Sequence, residues 1–208
     1  MKWTQRWSWP MVAAAWAVLA QATLGTTITW SSHDTGVDPS DNTLWSNPAN
    51  WIGGIAPAAL DDVVIGIPVA NGSRITVNDL PAGTQIDGIA ILANLNEVNG
   101  NSINLGGNVS YTAGGSSIGR IGAPVVLLQD TTYSVSANTS NGRLEVSGGI
   151  SGAFGIIKAD PGRLRFVTTA KSYDGDTIVT GGLLDMSSDN MLPSGAGKGD
   201  VYVGAGAQ

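Results

Sequence analysis

Three glycines spaced 20 residues apart, each opening the pattern Gly-x-Leu-x-apolar, constrain this chain more than any other feature. They begin Gly142-Arg-Leu-Glu-Val146, Gly162-Arg-Leu-Arg-Phe166 and Gly182-Leu-Leu-Asp-Met186, and Gly122-Ala-Pro-Val-Val126 keeps the step without the leucine. A fixed period of this length, with short β-prone runs and turn residues between, is the signature of a solenoid. Side chains alternate along a strand, so the third and fifth residues of each unit share a face. Stacking equivalent strands about 4.8 Å apart buries Leu144, Val146, Leu164, Phe166, Leu184 and Met186 as structural ladders and leaves Arg143, Glu145, Arg163, Arg165 and Asp185 in water. A sandwich of regular hairpins also explains alternation and turns, but not the repeated step. The expected fold is therefore all-β, a parallel β-helix with rungs of about 20 residues.

The rest of the chain has the same texture. Thr26-Thr-Ile-Thr-Trp30, Asp62-Val-Val-Ile-Gly-Ile67, Arg74-Ile-Thr-Val77, Ile86 to Leu92, Val125 to Leu128 and Thr132-Tyr-Ser-Val135 read as short strands bounded by Gly, Asn, Asp or Ser. No amphipathic helical pattern escapes interruption by Gly or Pro. The 29 glycines do not signal disorder, because 42% of the residues are hydrophobic and only 12% charged. A formal charge of −6 argues against nucleic acid or an anionic membrane surface as the main partner. The chain has no cysteine, which removes disulfide frameworks and thiolate metal sites.

Residues 1–22 have the three-part layout of a secretory signal. Lys2 and Arg6 make the start positive, Met11 to Ala20 is an apolar run, and Ala20-Gln21-Ala22 fits the small-x-small cleavage rule, with the cut before Thr23. The run is short for a membrane span, which needs roughly 20 apolar residues. The expected location is secreted or at the outer cell surface.

From Ile150 to Phe166 and from Ser172 to Leu184 the sequence resembles the autotransporter-associated β-strand repeat. Lys158, Gly162, Leu164, Tyr173, Gly175, Thr177, Val179, Gly182 and Leu184 fall on its pattern, and Asn190-Met-Leu-Pro-Ser-Gly195 is similar to the segment that usually follows. Asp160 departs from it, standing where that family carries Gly. Towards the amino terminus, Trp30, then Leu44-Trp45-Ser-Asn-Pro-Ala-Asn-Trp51, Pro57 and Asp61-Asp-Val-Val-Ile65 resemble the lead-in that often precedes such repeats. The resemblance implies a right-handed parallel β-helix in an exported passenger without enzymatic activity, and it supplies no catalytic residue. The division it suggests is a signal at 1–22, a tryptophan-containing β cap at 23–80 and a β-helix at 81–208, with the best match at 142–195. A solenoid end needs a cap, and Asp200 to Gln208 reads as a rung without one. Further repeats or an anchoring domain beyond Gln208 are therefore the expected partners.

Trp30, Trp45 and Trp51 admit two readings: an exposed sugar-stacking platform, which would make this a secreted carbohydrate-binding module, or a buried plug closing the end of the solenoid. Burial is the expectation, since tryptophan is costly to expose without a partner. The acidic loop His33-Asp34-Thr-Gly-Val-Asp38-Pro-Ser-Asp41-Asn42 could offer carboxylates to Ca²⁺, but it lacks the ligand order of a calcium loop and is equally ordinary turn material. Gly115-Ser-Ser-Ile-Gly119 mimics a nucleophile elbow around Ser117, yet the single histidine, His33, precedes it and no helix follows. Asp130, Asp160, Asp174 and Asp176 could furnish the acid and base of a β-helix polysaccharide-active enzyme, but they sit at turns without a repeated cluster. Gly195-Ala-Gly-Lys-Gly199 lacks phosphate-loop spacing, and Leu192-Pro-Ser-Gly195 lacks the features of a sortase signal. No catalytic, cofactor or metal residue is assigned. The sequence thus points to a structural surface scaffold, with adhesion as its use and no chemistry of its own.

Overall fold

A computed structural model describes residues 25–30, 43–66, 74–136 and 142–208. The signal segment 1–22, its cleavage point before Thr23 and the acidic loop from His33 to Asn42 lie outside the described residues. Apart from one 3₁₀ turn, Pro48–Asn50, the described secondary structure is all strand. Every pairing between named strands is parallel, and they form three walls.

The long wall stacks eight strands: Thr27–Thr29, Asp62–Ile65, Gly88–Ile91, Val109–Tyr111, Thr131–Val135, Ile156–Ala159, Thr177–Val179 and Val201–Val203. A second wall stacks six, from Arg74–Asn78 through Asn96–Gly100, Ile118–Ile121, Arg143–Val146 and Arg163–Phe166 to Leu183–Met186. The short wall holds Thr84–Ile86, Ile103–Leu105, Val125–Leu127 and Ile150–Gly152. From Asp62 to Gly152 the chain visits long, second and short walls in turn, and the last coils pass from the second wall straight back to the long one, so each circuit is one coil of a β-solenoid. The long wall runs from Thr27 to Val203 without a break, so the tryptophan region contributes strands to the same sheet as the repeats.

The glycine period is the coil. Arg143 pairs with Arg163 and Arg163 with Leu183, so Leu144, Leu164 and Leu184 lie in one column. Gly182 shows why the pattern begins with glycine: its φ of 66° is left-handed, and a Cβ there would fall 2.3 Å from the Gly162 carbonyl oxygen. The step is not constant, however. Coils run from 19 residues, Thr84 to Ile103, to 26, Asp62 to Gly88, apart from the irregular first one, which takes 35 from Thr27 to Asp62. One expectation fails for that reason: Arg143 stacks on Ile118, a coil of 25 residues, so Gly122 is not the equivalent of Gly142 but lies in the turn after Ile121.

Alternation decides what is buried. The inward column of the long wall is Val63, Ile89, Val109, Tyr133, Lys158 and Val179, and that of the short wall is Ile86, Leu105 and Leu127. Leu144, Val146, Leu164 and Phe166 are fully buried, and Leu184 nearly so. Met186 departs from the expected ladder. It stacks on Phe166 but is 42% exposed, because it stands on the last strand of its wall and is covered from one side.

The outward face of the second wall carries a ladder of alternating charge. Successive rungs place Glu97, Arg120, Glu145, Arg165 and Asp185 in one column. Glu145 accepts from Arg120 at 3.2 Å and from Arg143 at 2.7 Å, while Asp185 lies 3.3 Å from Arg165. Parallel in-register stacking would otherwise set like charges on top of one another, which destabilises a sheet. Alternation turns the same geometry into a brace.

Candidate functional site

The tryptophan cap is built as an irregular first coil. Trp30 extends the strand Thr27–Thr29 by donating its backbone N–H to Val64 O at 2.8 Å, and Trp45 does the same to Val77 O on the second wall at 3.0 Å. Asn47 accepts from Ala49 N at the head of the 3₁₀ turn, where Pro48 fits because its missing N–H is not needed. The turn delivers Asn50, whose Nδ2 donates to Leu44 O at 2.8 Å, and then Trp51. The three rings meet edge to face, with centroids 4.8 Å apart for Trp30 and Trp51 and 5.8 Å for Trp45 and Trp51. Trp45 Nε1 donates to Thr76 Oγ1 and Trp51 Nε1 to Trp45 O. None of the rings is more than 2% exposed, so no ring face is available for a sugar to stack on. Asp61 locks the assembly from beneath: its buried carboxylate accepts from Thr26 N, Thr26 Oγ1 and Ala58 N.

A second group of sites consists of buried lysines. Lys158 faces inward on Ile156–Ala159 and is fully buried, its ammonium donating to the carbonyls of Ala159 at 2.6 Å, Asp160 at 2.7 Å and Gly181 at 3.1 Å. Lys171 Nζ donates to Val146 O and Gly148 O and sits 5.2 Å from the centre of the Phe166 ring. Burial pulls both ammonium groups down to about 8. Each lysine supplies donors to turn carbonyls of neighbouring coils, which would otherwise be buried without partners. Sequence reasoning placed Lys158 only through the repeat pattern and did not single out Lys171. Period-two alternation from Ile156 would have put Lys158 indoors, whereas Lys171 lies in a turn, where no periodicity speaks.

Asp160 follows Lys158 at that turn. It takes φ of 66°, the left-handed conformation that the repeat pattern meets with Gly. Its Oδ2 accepts from Ser134 Oγ and, at 3.1 Å, from Ser136 Oγ. Those serine bonds, Ser134 first, hold the carboxyl below its ordinary range, aided by Lys158.

The remaining candidates resolve into architecture. Asp130 Oδ1 accepts from Gly155 N and Asp176 Oδ1 from Asp200 N, each one coil away, while Asp174 pairs with Lys198 at 2.5 Å. These carboxylates stitch coils together, as Asn94 and Asn108 do by accepting from Ile118 N and Thr132 N. Ser117 is buried near Tyr111, and Gly119 is required because a Cβ would sit 2.6 Å from the Tyr111 ring. Gly195 to Gly199 forms a turn. Among the described residues, no three His, Asp or Glu side chains gather as a metal site, and no helix is long and apolar enough to cross a membrane. An open trough of about 540 Å³ lies along the outer long wall, floored by small residues such as Gly88, Ala90, Ser110 and Ser134.

Parallel walls, an aromatic plug and glycine-opened coils define a β-solenoid. The chain is 30% identical over 177 residues, 85% of its length, to the adhesin BmaC autotransporter of Brucella suis biovar 1 (strain 1330). It spans only 4% of that protein's length. No protein-family model matches the chain. No solved structure matches it either.

Proposed function

We propose that this chain is a rigid, non-enzymatic stretch of a surface-displayed passenger whose outer walls serve adhesion. The observation that carries the reading is the similarity to an adhesin autotransporter, which runs through the solenoid and not through one turn of it. Two features support it. The acidic side chains weighed as catalytic are engaged in bonds between coils, and the tryptophans weighed as sugar platforms are plugged into the core. Export would proceed through the leader at 1–22, with cleavage before Thr23. Val201 and Val203 stand in inward columns yet are more than half exposed, which supports a further rung or domain as the partner that covers them.

The test is to express the natural reading frame in its host, shave intact cells with protease, and measure adherence to host cells or matrix before and after. Release of solenoid peptides together with loss of adherence is the expected result. Recovery of the protein only inside the cell, with Met1 intact, would remove the proposal.

A further inference from the structure

We propose that the Asp160–Pro161 peptide bond is a built-in self-cleavage site, with the Asp160 carboxylate as nucleophile and the Lys158 ammonium as oxyanion partner and proton donor. Three observations meet there. First, Asp160 precedes a proline at φ of 66°, a conformation unfavourable for a residue with a Cβ and crowded further by the following ring. Second, Lys158 Nζ lies 2.7 Å from the carbonyl oxygen of that same bond, where negative charge would develop on attack. Third, Asp160 and Pro161 are both exposed, so water reaches the bond, while the ammonium beside it is fully buried.

Aspartyl-prolyl bonds are intrinsically weak, because the proline nitrogen is a basic tertiary amide and the carboxyl reaches its own carbonyl through a five-membered ring. In this turn Ser134 and Ser136 occupy Oδ2, which leaves Oδ1 as the attacking atom. Attack forms the new C–O bond and places the carbonyl electrons on the oxygen facing Lys158. Collapse breaks the C–N bond, and Pro161 N takes a proton from the ammonium as it leaves. One water then opens the cyclic anhydride, giving a free α-carboxyl and the restored side chain at Asp160 and returning a proton to Lys158. The net change is hydrolysis of one peptide bond, without oxidant or cofactor. It would separate the last coils from those bearing the tryptophan cap.

The chain contains its own comparison, since Asp38–Pro39 is a second bond of the same type. The full chain would be incubated in mildly acidic buffer, folded or in concentrated urea, and fragments beginning at Pro39 and Pro161 counted by mass spectrometry. The expected result is folded-state cleavage at Pro161 about 10²-fold faster than at Pro39, the scale of one oxyanion donor, with the two rates converging in urea. Asp160→Asn keeps a side-chain oxygen that accepts from Ser134 and Ser136 and tolerates left-handed φ, and Asp160→Gly relieves the conformation outright. Both should fold and both should abolish the Pro161 fragment while leaving the Pro39 fragment unchanged. Equal rates at the two bonds in the folded chain, or a Pro161 rate unaffected by urea, would overturn the proposal.

Discussion

Replacing Lys158 by Met removes the ammonium while keeping the length of the stem, and three carbonyls, those of Ala159, Asp160 and Gly181, lose their donor. A hydrogen bond to a charged group contributes about 1.5–3 kcal/mol, so three at the low end amount to about 5 kcal/mol. Against this stands the cost of holding an ammonium indoors. Burial lowers Lys158 from 10.5 to about 8, and at about 1.4 kcal/mol for each pH unit that cost is about 3 kcal/mol. The net expectation is a loss of about 2 kcal/mol at neutral pH, read by urea unfolding followed in the far-ultraviolet circular dichroism.

The pH dependence gives a second readout. Because the folded value lies below the unfolded one, the unfolded chain holds this lysine's proton longer, so its contribution to stability rises with pH from about 8 to 10.5, opposed towards the top of that window by Tyr133 and Tyr173, which burial raises above their ordinary value. Lys171 contributes in the same direction, so Lys158→Met should retain about half of the rise. A Met variant as stable as the parent at neutral pH would mean that desolvation cancels the three bonds, against the expected net loss, and an unchanged pH slope would refute the burial argument.

Two further outcomes test the remaining architecture. Trp45→Ala should cost about 3–5 kcal/mol in the same unfolding assay, and soluble glycans should leave the intrinsic fluorescence of the parent protein unchanged, since the rings are indoors. Glu145→Gln removes the acid shared by Arg120 and Arg143 but should cost under about 1 kcal/mol, because the pairs are partly exposed. The difference from the parent should shrink as salt is raised during thermal melts.

How much of this was legible beforehand follows from the kind of force involved. The parallel stacking and the inward leucines could be read because burial repeats with the period of the coil, and Leu144, Leu164 and Leu184 reveal it without any knowledge of the turns. Turn lengths are set by local backbone geometry, which has no period, so the 25-residue coil from Ile118 to Arg143 was invisible and Gly122 was given the wrong register. The tryptophan cluster announced itself through the cost of exposing such rings. The stitching roles of Asp130, Asp176 and Asn108 did not, because an Asp or Asn at a turn looks the same whether it bonds its own loop or the coil beside it. The same ambiguity explains Asp160, whose substitution for Gly reads as a defect in the pattern until its serine partners are seen.

The way the coils stack sets where this solenoid can open. Each coil contacts only its neighbours, so unravelling starts at an end or at a weak coil. At the amino-terminal side the first strands are held by Asp61, by three interlocked indoles and by backbone bonds from Trp30 and Trp45 to the next coil, and fraying there must break these together. Between coils the outward charges alternate, and buried lysines tie turn carbonyls across the gap, so among the described residues these contacts hold the backbone of one coil to the next. The turn at Asp160 is the exception, since there an exposed, conformationally unfavourable aspartyl-prolyl bond sits on a buried ammonium. If one coil junction in this solenoid gives way first, the physical chemistry puts it between Asp160 and Pro161.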